Sequence, residues 1–203
     1  MKKTKKIIGW VFIVLFGLFV LMLLIRLPFF LQNRRTAEQV VKIHATKLTL
    51  DDVMGKNLPP DPGANADKTV QGIDANNNGI RDDVELAVFK AYPNSAKTRA
   101  VLLQYALSLQ TQMTLPIINK ETVTATVEDN DSRAHICIWS LSSRSDMNKF
   151  ITETDKNEKF IENLQLNHER RKNYLTYDIY EGHLMSYSSS NEGCDLNLST
   201  LPN

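Results

Sequence analysis

The chain has 203 residues, with 24 Lys and Arg, 23 Asp and Glu, and two Cys, for a formal net charge of +1. The charges are unevenly distributed, because no acidic residue precedes Glu38 and the first 33 residues hold five basic ones. With 5 of the 24 basic residues there, 19 remain against 23 acidic ones, so residues 34–203 carry −4. A mildly acidic domain without a basic cluster argues against nucleic-acid binding, since phosphate contacts need clustered Lys and Arg.

Residues 7–25 form a run of 19 positions without a charged or amide side chain. As a helix this run would be roughly 28 Å long, close to the hydrocarbon thickness of a bilayer. Trp10 near one end and Phe29 and Phe30 near the other suit the two membrane interfaces. The alternative is a cleaved signal peptide, but the apolar run is longer than the about 7–15 residues of that class and lacks a nearby small-residue cleavage pair. We expect an uncleaved signal anchor.

Basic residues flank the apolar run on both sides and predict its orientation. Four lysines and the amino terminus precede it, and three arginines follow: Lys2, Lys3, Lys5, Lys6, then Arg26, Arg34 and Arg35. The positive-inside rule favours a cytoplasmic amino terminus. We therefore expect residues 1–33 to form a cytoplasmic tip and a single transmembrane anchor. Residues 34–203 would then form one domain on the other side, which at a bacterial inner membrane is the periplasm.

The two cysteines, Cys137 and Cys194, suit an oxidising compartment. If paired, they close a loop with a sequence separation of 57 residues. Two buried free thiols are the alternative, because sequence does not show whether the two Cα atoms come within bonding reach. We predict a disulfide.

The spacing of apolar residues predicts a mainly α-helical domain. Thr36, followed three positions later by Gln39, suggests a capping box that opens a short helix through residue 43. Thr49 is expected to cap another short helix that ends at Gly55. Proline and glycine then predict an extended connector over residues 56–72.

Further helices are predicted after residue 85. A short helix must stop by Tyr92 because Pro93 follows, and Ser95 should cap a longer one that ends before Pro116. Asn119 is expected to cap a helix that runs to about residue 141, although the β-branched alternation over residues 122–127 would also suit a strand.

The last third of the domain is predicted to hold two or three helices. One or two cover residues 150–164 after a loop at 142–145, and a last helix covers residues 167–184. Tyr174 and Tyr177 lie on its apolar stripe, which could stack on a ligand but at helical spacing is more often core. The serines at 186–190 indicate a surface segment.

One motif carries chemistry, the loop over residues 74–85. Oxygen donors occur at loop positions 1, 3, 5, 9 and 12, a glycine occurs at position 6, and position 7 can offer its backbone carbonyl. The predicted ligands are Asp74, Asn76, Asn78, Ile80 through its carbonyl, Asp82 and Glu85. Ca²⁺ prefers six to eight oxygen ligands, and short Asp and Asn side chains can wrap around it. With three formal negative charges we expect a Kd on the order of 10⁻⁵ to 10⁻³ M.

This loop resembles the EF-hand-like calcium loops of thrombospondin type 3 repeats and of many secreted bacterial proteins. Arg81 occupies position 8, where a regulatory EF-hand has an aliphatic residue, and the chain holds no second such loop. A paired opening switch is therefore not expected. The rest of the sequence resembles bacterial membrane-anchored proteins of unknown activity. A metal-free turn is the alternative, but turn chemistry does not explain acidic residues at positions 1, 9 and 12.

No catalytic motif accompanies the loop. The four histidines form no zinc-ligand pair, and the sequence contains no nucleophile elbow, phosphate-binding glycine loop or dinucleotide fingerprint. We expect a calcium-binding protein that is not an enzyme, with calcium stabilising the ectodomain for binding to a protein or an envelope component. The alternatives are a periplasmic hydrolase with a groove along the Tyr174 and Tyr177 face, or an immunity or inhibitor protein.

Overall fold

The computed structural model describes residues 2–181 and 193–203, and within these residues all regular structure is helical. The mainly α-helical class predicted from the sequence is confirmed. The described α-helices are α1 (Lys2–Ala45), α2 (Leu50–Met54), α3 (Asp82–Ala91), α4 (Ala96–Thr114), α5 (Lys120–Thr126), α6 (Ser132–Trp139), α7 (Met147–Gln165) and α8 (His168–Glu181). Two compact units are present, residues 1–39 and residues 40–203.

Helix α1 contains the predicted membrane segment. Among the described residues it is the one helix that is long and apolar enough to cross a membrane. The large apolar side chains between residues 7 and 25 are all exposed. The helix is therefore consistent with a single-pass membrane protein.

The predicted start of a new helix at Thr36 is wrong, because α1 continues without a break from Lys2 to Ala45. The Thr36 hydroxyl does not cap a helix; it donates to the carbonyl oxygen of Gln32, one turn earlier, at 3.0 Å. Threonine satisfies its hydroxyl in this way inside helices. Pro28 also lies within α1. The Thr-x-x-Gln pattern therefore did not mark a helix start here. No helix-breaking residue lies just before it to end the preceding helix.

Three other predicted helix starts are confirmed by their caps. Thr49 and Asp52 form a reciprocal capping box at α2, and α2 ends at Gly55 in the left-handed conformation (φ 72°). Ser95 accepts from the Thr98 N–H at the start of α4. Asn119 accepts from the N–H three residues later at the start of α5. These local signals identified the ends of the elements that surround the candidate site.

Residues 120–139 are helical, so the strand alternative for residues 122–127 is wrong. A π-helical turn, Val127–Asp131, joins α5 to α6 and was not foreseen. It ends at Asp131, whose Oδ1 accepts hydrogen bonds from Gln112 Nε2 (2.6 Å) and Ser108 Oγ (3.3 Å) of α4. The π-helical turn thus places the Asp131 carboxylate within hydrogen-bonding distance of α4.

A single helix, α7, covers the region where one or two were predicted, and α8 follows it. Tyr174 of α8 is half-buried and packs against the core, as the structural interpretation of the tyrosine stripe expected. The Tyr177 side chain, Leu184 and the serines at 186–190 lie outside the part of the chain whose placement is described.

Helix α4 is the centre of the domain. Every side chain from Arg99 to Met113 is buried, and the helix contacts α2, α3, α6, α7 and α8. Its apolar residues form the core with Val53, Ile80, Val84 and Ile161 from the surrounding elements. Because α4 is covered on all sides, its polar residues must find partners inside the protein.

The buried polar side chains of α4 form hydrogen bonds to the surrounding loops and helix ends. The Arg99 guanidinium donates to the carbonyls of Val53 (3.0 Å), Tyr92 and Pro93 (both 2.8 Å), so it fixes the ends of α2 and α3. Gln104 donates to the Gly193 carbonyl and accepts from the Asp195 N–H. These bonds satisfy carbonyls that the helix ends and loops leave free.

The predicted disulfide is confirmed, since Cys137 of α6 is bonded to Cys194 with the Cα atoms 4.7 Å apart. The neighbouring Asp195 carboxylate accepts from Arg133 Nη2 (2.7 Å) and from the Leu48 N–H (2.9 Å). The C-terminal segment is thus held to α6, α4 and the chain before α2 by both covalent and polar contacts.

Replacing both cysteines by alanine should lower the free energy of unfolding by about 4 kcal/mol, because the bond closes a loop with a separation of 57 residues. Chemical denaturation of the two proteins, each with and without reductant, measures this. Reductant should destabilise the wild type and leave the double variant unchanged; equal stability of both under oxidising conditions would contradict the prediction.

His135 of α6 lies among three carboxylates. Its Nδ1 is 3.0 Å from Glu158 Oε1, its Nε2 is 3.6 Å from Asp131, and its ring packs edge-on against Tyr105. Burial lowers the pKa of His135, but the hydrogen bond to Glu158 and the charges of Asp131 and Glu162 outweigh it, so the pKa is raised. The folded protein therefore favours the protonated imidazole.

A raised pKa predicts that His135 stabilises the fold below about pH 6.5 and that this contribution is lost as the pH rises through the folded-state value. The stability difference between wild type and His135→Gln should therefore be larger at about pH 6 than at about pH 8.5. Urea denaturation at both pH values measures it. Contributions common to both proteins cancel in this difference. A difference that does not change with pH would contradict the assignment.

Candidate functional site

The candidate calcium loop lies between the connector and helix α3. The Asp82 N–H donates to the Ile73 carbonyl at 2.9 Å, so the two ends of the loop are joined by the backbone. The Ile80 side chain is fully buried in the core against α4. The loop is therefore held from its middle and from both ends, while the short polar side chains occupy the positions between.

Two left-handed residues make the sharp turn. Asn77 has φ 58° and Gly79 has φ 86°. A Cβ atom on Gly79 would lie 2.7 Å from Leu107 Cδ1 of α4, so glycine is required both by its conformation and by the close packing. Glycine at the sixth loop position thus has the role expected from the sequence.

In the first half of the loop, backbone N–H groups donate hydrogen bonds to side-chain oxygens of the same segment. Asp74 accepts from the N–H groups of Asn78 (3.1 Å) and Gly79 (2.9 Å), and the Asn78 side-chain oxygen accepts from the Ile80 N–H (2.8 Å). Asn76 Oδ1 also accepts from the Asn78 N–H at 3.3 Å. These turns curl positions 1, 3 and 5 toward one side, as a calcium loop requires, and they would also form in a metal-free turn.

Glu85, at position 12, closes the loop from the first turn of α3. Its Oε2 accepts from Asn76 Nδ2 (3.0 Å) and Asn78 Nδ2 (3.1 Å). The structure therefore brings positions 3, 5 and 12 into direct contact. Asp82, at position 9, accepts from the Ala75 N–H at 3.0 Å.

Two carboxylate oxygens in this loop are buried without a partner. Asp82 and Glu85 are both 0% exposed, and Asp82 Oδ2 and Glu85 Oε1 have no hydrogen-bond partner among the described residues. Burial raises the pKa of Asp82 and raises the pKa of Glu85 to about 7, although hydrogen bonds from Asn76 and Asn78 oppose the latter shift. An unpaired buried carboxylate is costly, and a cation would offset that cost.

The predicted ligands thus lie together in one loop, but the acidic ones among them do not form a compact cluster. In residues 2–181 and 193–203, no three His, Cys, Asp or Glu side chains are arranged to hold a metal ion by themselves. The candidate set consists of three carboxylates, two amides and the Ile80 carbonyl, so a cation there would depend on neutral oxygens for half of its ligands.

Arg81 lies between two predicted ligands, yet its charge is directed away from them. Its guanidinium donates to both oxygens of Asp83 (Nε at 3.0 Å, Nη2 at 2.6 Å) and to Asp67 (3.1 Å). Neither Asp82 nor Glu85 has a basic partner within ion-pair distance in the described chain. Arginine at position 8 therefore pairs with Asp83 and does not neutralise the predicted acidic ligands Asp82 and Glu85.

Arg81 instead belongs to an arginine clamp, formed by Arg81, Arg170 of α8, and Asp67 of the connector. Both guanidiniums are buried, and both donate to Asp67 Oδ1, Arg170 at 2.6 Å. Arg170 also donates to the carbonyls of Ala66, Val70 and Thr69. The hydrogen bond from Arg170, assisted by both positive charges, holds the pKa of Asp67 below its usual value. The clamp fixes the connector between the loop and α8.

A cleft of about 610 Å³ adjoins the calcium loop. Its lining comes from the end of α1 and the chain that follows, from α2, from the loop, and from the C-terminal half of α4. Asp74, Asn76 and Asn78 form part of its wall. The candidate cation site is thus next to a cavity large enough for a small molecule.

Sequence reasoning did not find the clamp or the cleft. Arg170 and Asp67 are 103 positions apart, and nothing in the local sequence of either one indicates the other. The only available signal was Arg81, which departs from the usual aliphatic residue at loop position 8. Burial of a charged residue requires partners, but sequence does not name them.

No protein-family model, no curated protein and no solved structure matches this chain. What the protein does must therefore follow from its own residues.

Replacing Asp67 by Asn should lower the free energy of unfolding by about 1 kcal/mol, because two buried guanidiniums lose a charged acceptor that is itself 68% exposed and therefore screened by solvent. Asp61→Asn is the control, since among the described residues the carboxylate of this exposed connector residue accepts from the nearby Gly63 N–H alone. Thermal and urea denaturation of both variants measures the difference. Equal stability of the two would contradict the proposed role of the clamp.

Proposed function

We propose that this chain is a membrane-anchored calcium-binding protein whose ectodomain is stabilised by one Ca²⁺ ion in the loop of residues 74–85. The ligands would be the side chains of Asp74, Asn76, Asn78, Asp82 and Glu85, with the Ile80 carbonyl. One observation carries the proposal: Asp82 Oδ2 and Glu85 Oε1 are buried oxygen atoms with no hydrogen-bond partner among the described residues.

A divalent cation would give Asp82 and Glu85 the positively charged partner that they lack among the described residues. The loop supplies three carboxylates and no basic partner for Asp82 or Glu85, so a bound ion would neutralise charge that burial penalises. In the structure the amide nitrogens of Asn76 and Asn78 donate to Glu85, while their oxygens accept from the Asn78 and Ile80 N–H groups. Ca²⁺ would take the amide oxygens as ligands in place of the bonds that the amide nitrogens make to Glu85.

The consequence for the whole domain follows from linkage. An ion that binds the folded loop and not the unfolded chain adds RT ln(1 + [Ca²⁺]/Kd) to the free energy of unfolding. The loop contacts α3 directly, α4 through Ile80 and Gly79, and α8 through the clamp. An ordered loop would therefore hold the surface of the domain in one shape for a protein or envelope partner.

We place the protein at a bacterial inner membrane, with the amino terminus in the cytoplasm and residues 34–203 in the periplasm. The lysines before the apolar run support this orientation. The Cys137–Cys194 bond supports an oxidising compartment for the domain.

Calorimetry and thermal denaturation of the full chain in detergent test the calcium site. We expect one site with a Kd on the order of 10⁻⁵ to 10⁻³ M and, at a tenfold excess of Ca²⁺ over Kd, about 1.4 kcal/mol of added stability. In Glu85→Gln the calcium response should vanish while stability in chelator is kept or raised, because a buried negative charge is removed.

Asp51→Asn is the matched control, since Asp51 is acidic, lies outside the loop and, in the described part of the chain, forms its ion pair with Lys56 at the surface. It should keep the full calcium response. Two results would refute the site: no heat and no thermal shift at millimolar Ca²⁺ in the wild type, or an unchanged response in Glu85→Gln.

A further inference from the structure

Asn78 and Gly79 form the one Asn-Gly pair in the sequence, and they occupy positions 5 and 6 of the candidate calcium loop. Asparagine before glycine is prone to lose its side-chain amide, because the backbone nitrogen of the second residue attacks the side-chain amide carbon of the first. A Cβ atom on the second residue hinders this attack, and glycine has none. The sequence thus places a chemically reactive pair inside the loop.

The fold uses both residues of the pair. Gly79 has φ 86°, and a Cβ atom there would lie 2.7 Å from Leu107 Cδ1. The Asn78 side-chain oxygen accepts from the Ile80 N–H at 2.8 Å, and its Nδ2 donates to Glu85 Oε2 at 3.1 Å. Replacing either residue would remove a contact or create a clash, so the reactive pair is built into the loop.

Hydrogen bonds hold the two groups that would react. The Gly79 N–H donates to Asp74 Oδ2 at 2.9 Å. This nitrogen must lose its proton in the attack, and a carboxylate that accepts from it favours the protonated form. The Asn78 amide is held at both its oxygen and its nitrogen. Reaction therefore requires the loop to open locally and these bonds to break.

We propose that Asn78 is a deamidation site that the closed loop protects and that reacts when the loop opens. The Gly79 nitrogen forms a bond to Asn78 Cγ and gives its proton to water, while the Cγ–Nδ2 bond breaks and ammonia leaves. Water then opens the cyclic succinimide. Cleavage of the new bond gives aspartate, and cleavage of the original peptide bond gives isoaspartate. The proposal goes beyond calcium binding, because the protecting bonds are made by the protein itself.

Neither product restores the original loop. Aspartate at position 78 would lack the amide donor to Glu85 and would place a second carboxylate beside it. Glu85 is fully buried, and like charges in a buried site oppose each other. Isoaspartate adds a methylene group to the main chain next to Gly79, which packs against Leu107. Each product favours the open loop, so the change is one-way and accumulates with the age of the molecule.

The test compares the full chain in detergent with the same chain unfolded in guanidinium chloride, both with a chelator. After incubation, mass spectrometry of the tryptic peptide 69–81 measures the exchange of NH₂ for OH at residue 78. Deamidation should be at least about tenfold faster in the unfolded chain, which lacks the hydrogen bonds to Asp74 and Glu85. Asn65, which is exposed and followed by Ala66, is the internal control and should react more slowly than Asn78 when unfolded.

Two variants test the roles of Asp74 and of the product. In the folded chain, Asp74→Ala should speed deamidation of Asn78 about tenfold, whereas Asp51→Ala, outside the loop, should not. Thermal denaturation shows whether each variant is folded, and the wild-type comparison decides if Asp74→Ala is not. Asn78→Asp should lower the midpoint of thermal unfolding in chelator, whereas Asn65→Asp should leave it unchanged.

Three results would overturn the proposal. Asn78 could deamidate equally fast in the folded and unfolded chains, which would mean that the loop gives no protection. It could stay intact in the unfolded chain, or react at the wild-type rate in a folded Asp74→Ala protein. Every sample contains chelator, so a failed calcium titration would leave these comparisons unchanged, and their failure would leave the calcium result unchanged.

Discussion

Burial of α4 from Arg99 to Met113 is the constraint on which the rest of the domain depends. The buried polar side chains of this helix cannot be left to water, so they bond to surrounding elements or, like Thr111, to a carbonyl of the helix itself. Arg99 reaches the ends of α2 and α3, Gln104 reaches the C-terminal segment, and Gln110 reaches the connector. The packing of one helix thus fixes the positions of loops that have little apolar surface of their own.

The candidate calcium loop is held in place by α4 and adds buried charge to the domain. Its backbone lies close enough to α4 that a Cβ atom on Gly79 would be 2.7 Å from Leu107 Cδ1, and Ile80 is part of the core. Such contacts bury Asp82 and Glu85 together with the apolar residues of α3. The buried carboxylates oppose folding unless something neutralises them, whereas the two guanidiniums of the arginine clamp are paired with the carboxylates of Asp67 and Asp83.

Local signals predicted much of this fold from the sequence. Thr49, Gly55, Ser95 and Asn119 each act within a few residues, and each is where a capping rule places it. Thr36 has the same kind of signal and caps nothing, because a helix that has already begun needs no cap. The π-helical turn before Ser132 has no sequence signature that would distinguish it from ordinary helix.

For the candidate site too, the sequence predicted local features and could not show contacts between distant segments. The spacing of oxygen donors in residues 74–85 nominated the ligand set, since that spacing is a local property. Sequence could not indicate that Arg81 bonds to Asp67 and Asp83, or that Gln110 Oε1 is buried with no hydrogen-bond partner among the described residues. Those facts depend on contacts between segments that are distant along the chain, and a three-dimensional arrangement is needed to find them.

The disulfide has a topological consequence for the turnover of this protein. Cys137 and Cys194 enclose α7 and α8, so a single proteolytic cut between them leaves both fragments covalently joined. The severed C-terminal piece would stay attached, through Cys137, to the same chain that carries the apolar helix α1. A nicked molecule would therefore migrate as one species on a gel without reductant and as two with it. After a single cut of this kind, the severed piece is released only when a reductant also breaks the disulfide.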